Sequence, residues 1–599
     1  MEEPPIQEIA YAVGLQVSHV RDVAFCLSRH GCCVVWRMQK FTVALLLCTL
    51  APAAAAQNSS LKFEVRFPAA LSSQPLSGRV LLGISTTDRP EPRFQIEEAE
   101  ANSQQLFGVQ VEGLKPEEPA IVDNTTLGYP VRSLGQVRAG DYYVQAVFNV
   151  YESFRRSDGH TVELPPDRGE GQQWNRKPGN LYNHPQKVHI DPAAGGVIRV
   201  ELTEKIPPIE SPQDTKYVKH FQIQSKLVSD FWGRPMFLGA IVVLPEGFDE
   251  HPAAHYPLLV EEGHFPRDFT MRASPPAADA KGNELRQQQT EYRLYQDWTS
   301  GRLPHVVLLL IQHANPYYDD SYAVNSANVG PYGDAIVKEL IPEVERRYRG
   351  IGQGWARGQV GGSTGGWEVL AQQVFYPDEY NYTYCMCPDP IDFHAYQIVN
   401  IYDDTNAFWQ EGPFGRVPRP EMRNPTGLVT AVMEPAVRRE EVIGTRGRSA
   451  EQFAIWQAVF SPVGQDGYPK PIWNVANGII DKDVASYWRD HFDLDHIMQR
   501  DWTMLGPKLA GKIHFTVGDM DTWYLNNAVH MFQEFHDSPK NPYRVADFEY
   551  GWRQPHCYTG GSALPPAERR SGFLQRIINQ FAERVEATAP KDGDMSWKY

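Results

Sequence analysis

From residue 57 to about 207, apolar and polar residues alternate in short runs. Leu61, Phe63, Val65 and Phe67 interleave with Lys62, Glu64 and Arg66, and similar runs recur at 79–84, 106–111, 141–151 and 196–202, separated by Gly, Pro, Asn and Asp. A period of two turns one face of each run to a core and the other to water, so the spacing predicts an antiparallel β-sandwich. The polar, aromatic-bearing stretch 165–182 reads either as a long surface loop or, more sharply, as a segment that carries Trp174 and Tyr182 over a neighbouring active site. The prolines of 206–212 predict a stiff linker.

After residue 217 the pattern changes. A hairpin-like pair at 219–224 and 236–245 precedes apolar runs at 257–260 and 305–311, and helical and strand patterns then alternate, which predicts a mainly parallel sheet wrapped by helices. Within 333–348, Ile336, Leu340, Val344 and Tyr348 recur four apart, as on one face of a helix, with Pro342 as a kink. The interval 393–511 is far longer than an ordinary α/β connection and predicts a cap insertion over a pocket. Of its tryptophans Trp409, Trp456, Trp473, Trp488 and Trp502, most are expected in the cap core and one or two in an aromatic pocket wall.

The stretch 41–56 follows Met38-Gln-Lys40, is too short to span a membrane comfortably, contains Pro52 and ends in Ala-x-Ala before Gln57. It reads as a secretory signal peptide, 38–56, cleaved after Ala56, with 1–37 upstream of a start at Met38 and 1–56 in all a leader. The expected location is therefore secreted or periplasmic, with no membrane insertion after cleavage. Cys26, Cys32, Cys33 and Cys48 fall in the leader. Cys385, Cys387 and Cys557 remain, an odd count that predicts one bridge, Cys557 with Cys385 or Cys387, and one free thiol. With no second Cys or His cluster at ligand spacing, no metal is expected. The 57 Lys and Arg against 73 Asp and Glu give a net charge of −16, and no basic run occurs, which argues against nucleic acid or an anionic membrane surface as partner.

Gly361-Gly-Ser-Thr-Gly365 is a G-x-S-x-G motif between a short strand ending near Val360 and an apolar-faced helix at 367–375. Strand, tight turn and helix in that order lift a serine hydroxyl above a sheet, with Gly361 and Gly365 leaving room for the turn. Serine needs a base oriented by an acid. His556, in the loop after a strand at 544–550, is the expected base, whereas His514 reads as a strand residue and His530 and His536 as helical. The expected acid is Asp521, in the turn after a strand from 512, with Asp519 and Asp392 as alternatives and Asp389 beside the latter. The oxyanion hole should use the backbone N–H of Thr364 and a second from His264 or Phe265.

In these motifs residues 217–599 resemble the esterase D-like branch of the α/β-hydrolase superfamily. The resemblance rests on the elbow, Val243-Leu-Pro-Glu-Gly247, Tyr256-Pro-Leu-Leu-Val260, Glu339-Leu-Ile-Pro-Glu343 and Gly518-Asp-Met-Asp521. Ala139-Gly-Asp-Tyr-Tyr-Val-Gln145 resembles a late strand of immunoglobulin-like domains. The implied architecture is an α/β-hydrolase fold at 208–599 with its cap at 393–511, preceded by an all-β immunoglobulin-like sandwich and linker at 57–207. The implied activity is serine ester hydrolysis through an acyl-enzyme, without cofactor, on a small-molecule or polymer-linked ester. Acyl transfer or peptide hydrolysis at the same site, and a non-catalytic binding protein on a hydrolase scaffold, are the alternatives. In one departure, Glu262-Gly263 stands where the family commonly has His-Gly. A carboxylate there opposes an oxyanion, so Glu261 and Glu262 are expected to point away or to meet Arg267.

Overall fold

The computed structural model describes residues 61–167, 173–263, 269–538, 540–560 and 566–599. The expected leader, Cys26, Cys32, Cys33, Cys48, His264, Phe265 and Arg267 lie outside them. The described residues form one compact unit.

The described residues of 61–205 carry β-strands and two short 3-10 turns, Pro92–Phe94 and Leu134–Gln136. Leu61–Arg66 lies between Gly196–Glu201 and Ala120–Val122, and a second sheet is built on Leu76–Ser85 flanked by Gln105–Leu114 and Gly140–Val150. Phe63, Val65 and Phe67 meet Val80, Leu82, Ile84 and Phe148 in one buried cluster, as the alternation requires. The antiparallel expectation fails at one pair, since Leu61–Arg66 runs parallel to Gly196–Glu201. Most of the second sheet lies between those two strands in the chain, which supplies the long crossover a parallel pair needs. Of 165–182, residues 165–167 and 173–180 form an irregular connection as the loop reading expects, but Trp174 and Tyr182 are not carried over the site. Trp174 is 6% exposed, buried among Leu81, Leu106, Tyr129, Val147, Val442 and Ile443, while Tyr182 pairs with Val147 in the second sheet. Burying a large indole between layers outweighs displaying it.

Eight strands form the α/β sheet: β1 (Val218–Ser225), β2 (Met236–Val243), β3 (Leu258–Glu262), β4 (Val307–Gln312), β5 (Arg357–Gly362), β6 (Tyr382–Met386), β7 (Ile513–Gly518) and β8 (Ala546–Gly551). Their order is β1-β2-β4-β3-β5-β6-β7-β8, with β2 antiparallel to both neighbours and the other contacts parallel. This is the helix-covered, mainly parallel α/β arrangement that the sequence predicts, and strands β3, β5, β7 and β8 each end at the site described below. The 333–348 helix forms, but Ile336–Leu340 is a π-turn followed by Ile341–Tyr348. Pro342 has no N–H to donate four residues back, so the ladder widens there.

The insertion lies between β6 and β7. Its helix Met433–Ile443 rests on the β-layers, where Arg79 donates to the carbonyls of Val442 and Glu441, both at 3.0 Å, and Arg438 to those of Gly128 and Pro130 at 2.9 and 2.8 Å. Phe154, Val162 and Leu164 of an upstream hairpin join the α/β core, with the Phe154 ring 5.4 Å from Trp232. Packing is therefore continuous across the boundary expected near 207. No helix among the described residues is long and apolar enough to cross a membrane.

Candidate active site

β5 ends in the elbow. Ser363 has φ 59° and ψ −124°, a conformation that costs a non-glycine residue roughly 1–3 kcal/mol. Surrounding hydrogen bonds hold it: its N–H donates to Met386 O, and its carbonyl accepts from the N–H groups of Gly366, Trp367 and Asp389. The flanking glycines are required by close approach. A Cβ on Gly365 would stand 2.5 Å from Glu262 O, and one on Gly361 2.2 Å from Gly365 O. The helix Thr364–Phe375 thereby starts directly against β3 and β5.

The loops after β7 and β8 bring Asp521 and His556 to the serine. His556 Nε2 lies 2.9 Å from Ser363 Oγ, and His556 Nδ1 lies 2.7 Å from Asp521 Oδ2. Asp521 is fully buried, and its Oδ1 accepts the N–H groups of Trp523 and Leu525 at 2.9 and 3.2 Å, which fixes the carboxylate toward the imidazole. Trp523 meets the imidazole edge-on at 4.7 Å. The alternative acids are engaged elsewhere: Asp519 accepts the Arg553 N–H and Asp392 caps the turn at His394. His514 lies on β7, and His530 and His536 on the helix Asn526–Asp537, as expected.

Burial alone pushes the His556 imidazole down. The hydrogen bond and charge of Asp521, with the Cys557 thiol adding to them, outweigh burial and lift it to about 10. Cys557 Sγ lies 3.0 Å from Cys387 Sγ, an unbridged contact between free thiols, whereas Cys385 is buried on β6. The Cys387 hydrogen bond, helped by His556 and opposed by burial, draws the Cys557 thiol down to about 5.

Thr364 begins the elbow helix, so its N–H stands at the positive end of the helix dipole beside Ser363. Sequence reasoning missed what steadies it. Asp389 Oδ2 accepts hydrogen bonds from Thr364 Oγ1 at 3.1 Å, Tyr322 OH at 2.6 Å, Gln452 Nε2 at 3.1 Å and Trp456 Nε1 at 3.2 Å. The proximity of Asp389 to the elbow was the only signal in the chain, and Tyr322 and Gln452 carry none.

Glu262 turns away from the serine into a buried group. His313 Nε2 lies 3.7 Å from its Oε2 and 3.6 Å from Glu368 Oε1. Burial, with the Asp320 charge adding, pushes Glu262 up to about 8, and burial drives His313 down to about 3. At neutral pH Glu262 is thus mostly uncharged and does not oppose an oxyanion. Among the described residues this trio, Cys387 with His556 and Cys557, and Asp392 with His394 and Asp493 bring metal-ligand atoms together.

A cavity of about 770 Å³ opens over Ser363 and His556. The insertion lines it with Glu421, Ala436, Arg439, Glu440, Gln452, Phe453 and Trp456, and the β-layers contribute Glu98. Of the five cap tryptophans, Trp456 lines the cavity, Trp473, Trp488 and Trp502 are core, and Trp409 is exposed.

No family model and no curated protein matches the chain. Solved structures align weakly with it. A ferulic acid esterase is 13% identical with a TM-score of 0.33, covering 61% of this chain and 98% of its own. An S-formylglutathione hydrolase from Agrobacterium tumefaciens is 10% identical with a TM-score of 0.32, covering 62% and 98%. The fluorophosphonate-binding serine hydrolase FphF of Staphylococcus aureus is 13% identical with a TM-score of 0.29, covering 61% and 98%.

Proposed function

We propose that the chain is an exported serine ester hydrolase of the esterase D-like kind, with an immunoglobulin-like β-sandwich ahead of its α/β-hydrolase part. One observation carries the reading: Ser363 Oγ, the two ring nitrogens of His556 and Asp521 Oδ2 stand in line at 2.9 and 2.7 Å. Ser363 attacks the ester carbonyl as His556 Nε2 takes its proton, and Asp521 holds the tautomer and stabilises the imidazolium. The tetrahedral oxyanion receives the Thr364 N–H, with a second donor expected from His264 or Phe265. Collapse expels the alcohol, which takes the proton from His556. Water, deprotonated by His556, then releases the acid from Ser363 and restores the site. Asp389 steadies Thr364 through its side chain.

A fluorophosphonate probe tests this reading. Folded protein should be labelled on the peptide carrying Ser363, and Ser363→Ala should lose both labelling and p-nitrophenyl ester turnover. Unlabelled Ser363 in folded protein, or equal turnover by both proteins, would overturn it.

A further inference from the structure

The chemistry at Ser363 leaves the carboxyl groups of the cavity unexplained. Glu98, Glu421 and Glu440 line it, and among the described residues Arg439 is the one Lys or Arg side chain that does so. Arg439 is already engaged, 3.1 Å from Glu451 and 3.7 Å from Glu98. Glu440 is occupied too, accepting the Ser449 hydroxyl and the N–H groups of Phe453 and Ala454 at 2.9–3.0 Å.

Glu421 is only half engaged: its carboxyl takes a hydrogen bond from Trp523 and feels the charge of Arg439, while one oxygen is left over. The residue is 5% exposed, lines the same cavity as Ser363, and its Oε2 has no hydrogen-bond partner. Burial first, and then the charge of Glu98, push it up to about 8. A buried carboxyl left in this state is stabilised by an arriving cation, which restores the ionised form and pairs with it. Trp456 and Trp523 line the same cavity, and indoles beside carboxylates are the setting in which ammonium groups are held. A neutral hydroxyl would leave the Glu421 carboxyl protonated, whereas a cation favours its ionised form and pairs with it.

We propose that the pocket selects esters whose acyl or alcohol part carries a substituted ammonium group, with Glu421 as its counter-ion and Trp456 and Trp523 beside it. This rests on the hydrolase reading of Ser363.

Two isosteric pairs test it: butyrylcholine against the ester with carbon in place of the ammonium nitrogen, and the p-nitrophenyl ester of an ω-trimethylammonio acid against its all-carbon counterpart. The cationic member of at least one pair should be preferred in kcat/KM by roughly tenfold or more, and Glu421→Gln should bring that ratio toward unity. Glu98→Gln, at a more exposed position, should lower it less and covers the case in which Glu421→Gln does not fold. Calorimetric titration of Ser363→Ala with the same esters reads binding without turnover, and the charged member should bind more tightly. Equal kcat/KM within both pairs, or equal binding to Ser363→Ala, would overturn the proposal while labelling of Ser363 upheld the hydrolase reading. Unlabelled Ser363 together with charge-selective binding would instead sink that reading and leave a cation-binding pocket.

Discussion

Cys387 and Cys557 hold their sulfur atoms 3.0 Å apart, one just past the end of β6 and the other directly after His556. Their depth differs: the Cys387 thiol is pushed well up by burial, and the Cys557 thiol is drawn down. A lowered thiol beside a second sulfur is the geometry from which an oxidant makes a bridge. Diamide should therefore couple Cys387 to Cys557, taking up two electrons and two protons, and leave Cys385 open to alkylation after unfolding. Non-reducing peptide mapping reads the pairing directly, and a bridge through Cys385 would contradict the contact.

Asp521→Asn should lower kcat by about ten-thousand-fold, because the amide supports the wrong imidazole tautomer. Asp519→Asn and Asp392→Asn should cost far less, since neither carboxylate touches His556. Steady-state kinetics on one p-nitrophenyl ester ranks the three. An Asp519 or Asp392 variant as damaged as Asp521→Asn would reassign the acid.

The base works only as neutral imidazole, so activity falls as His556 gains a proton. Because its pKa is raised, the acid limb of the kcat/KM profile should lie alkaline of the ordinary histidine value of about 6.5. Replacing the thiol in Cys557→Ser removes one group that favours the imidazolium, and the limb should move toward lower pH. A limb that stayed in place would show that Cys557 does not act on the base.

Gly365→Ala should cost about 1–3 kcal/mol, since its methyl group would overlap the Glu262 carbonyl at 2.5 Å and force backbone apart. Thermal melts would detect this loss. An unchanged melting temperature would mean that β3 and the elbow helix are less tightly apposed than described.

The chain's local order makes much of this architecture legible. Ser363, Asp521 and His556 each follow a strand in the sequence Ser, acid, His, and that placement singles them out from 18 histidines and many carboxylates. Trp174 shows where such reading stops. Its neighbours Leu81, Val147 and Val442 are remote in sequence, so no local pattern tells a buried indole from one displayed over a pocket. Asp389 is similar: its position suggests a catalytic acid, and only Tyr322, Gln452 and Trp456, which converge on it through tertiary packing, turn it into a brace for Thr364. The neutral state of Glu262 also depends on burial, which composition does not reveal.

The clamp of Arg79 and Arg438 has a practical consequence for anyone dissecting the chain. The roof over the serine is bolted to a foundation laid about three hundred residues earlier, and one tile of that roof, Glu98, belongs to the foundation itself. A fragment starting at the α/β sheet would carry Ser363, His556 and Asp521 intact beneath an unsupported roof.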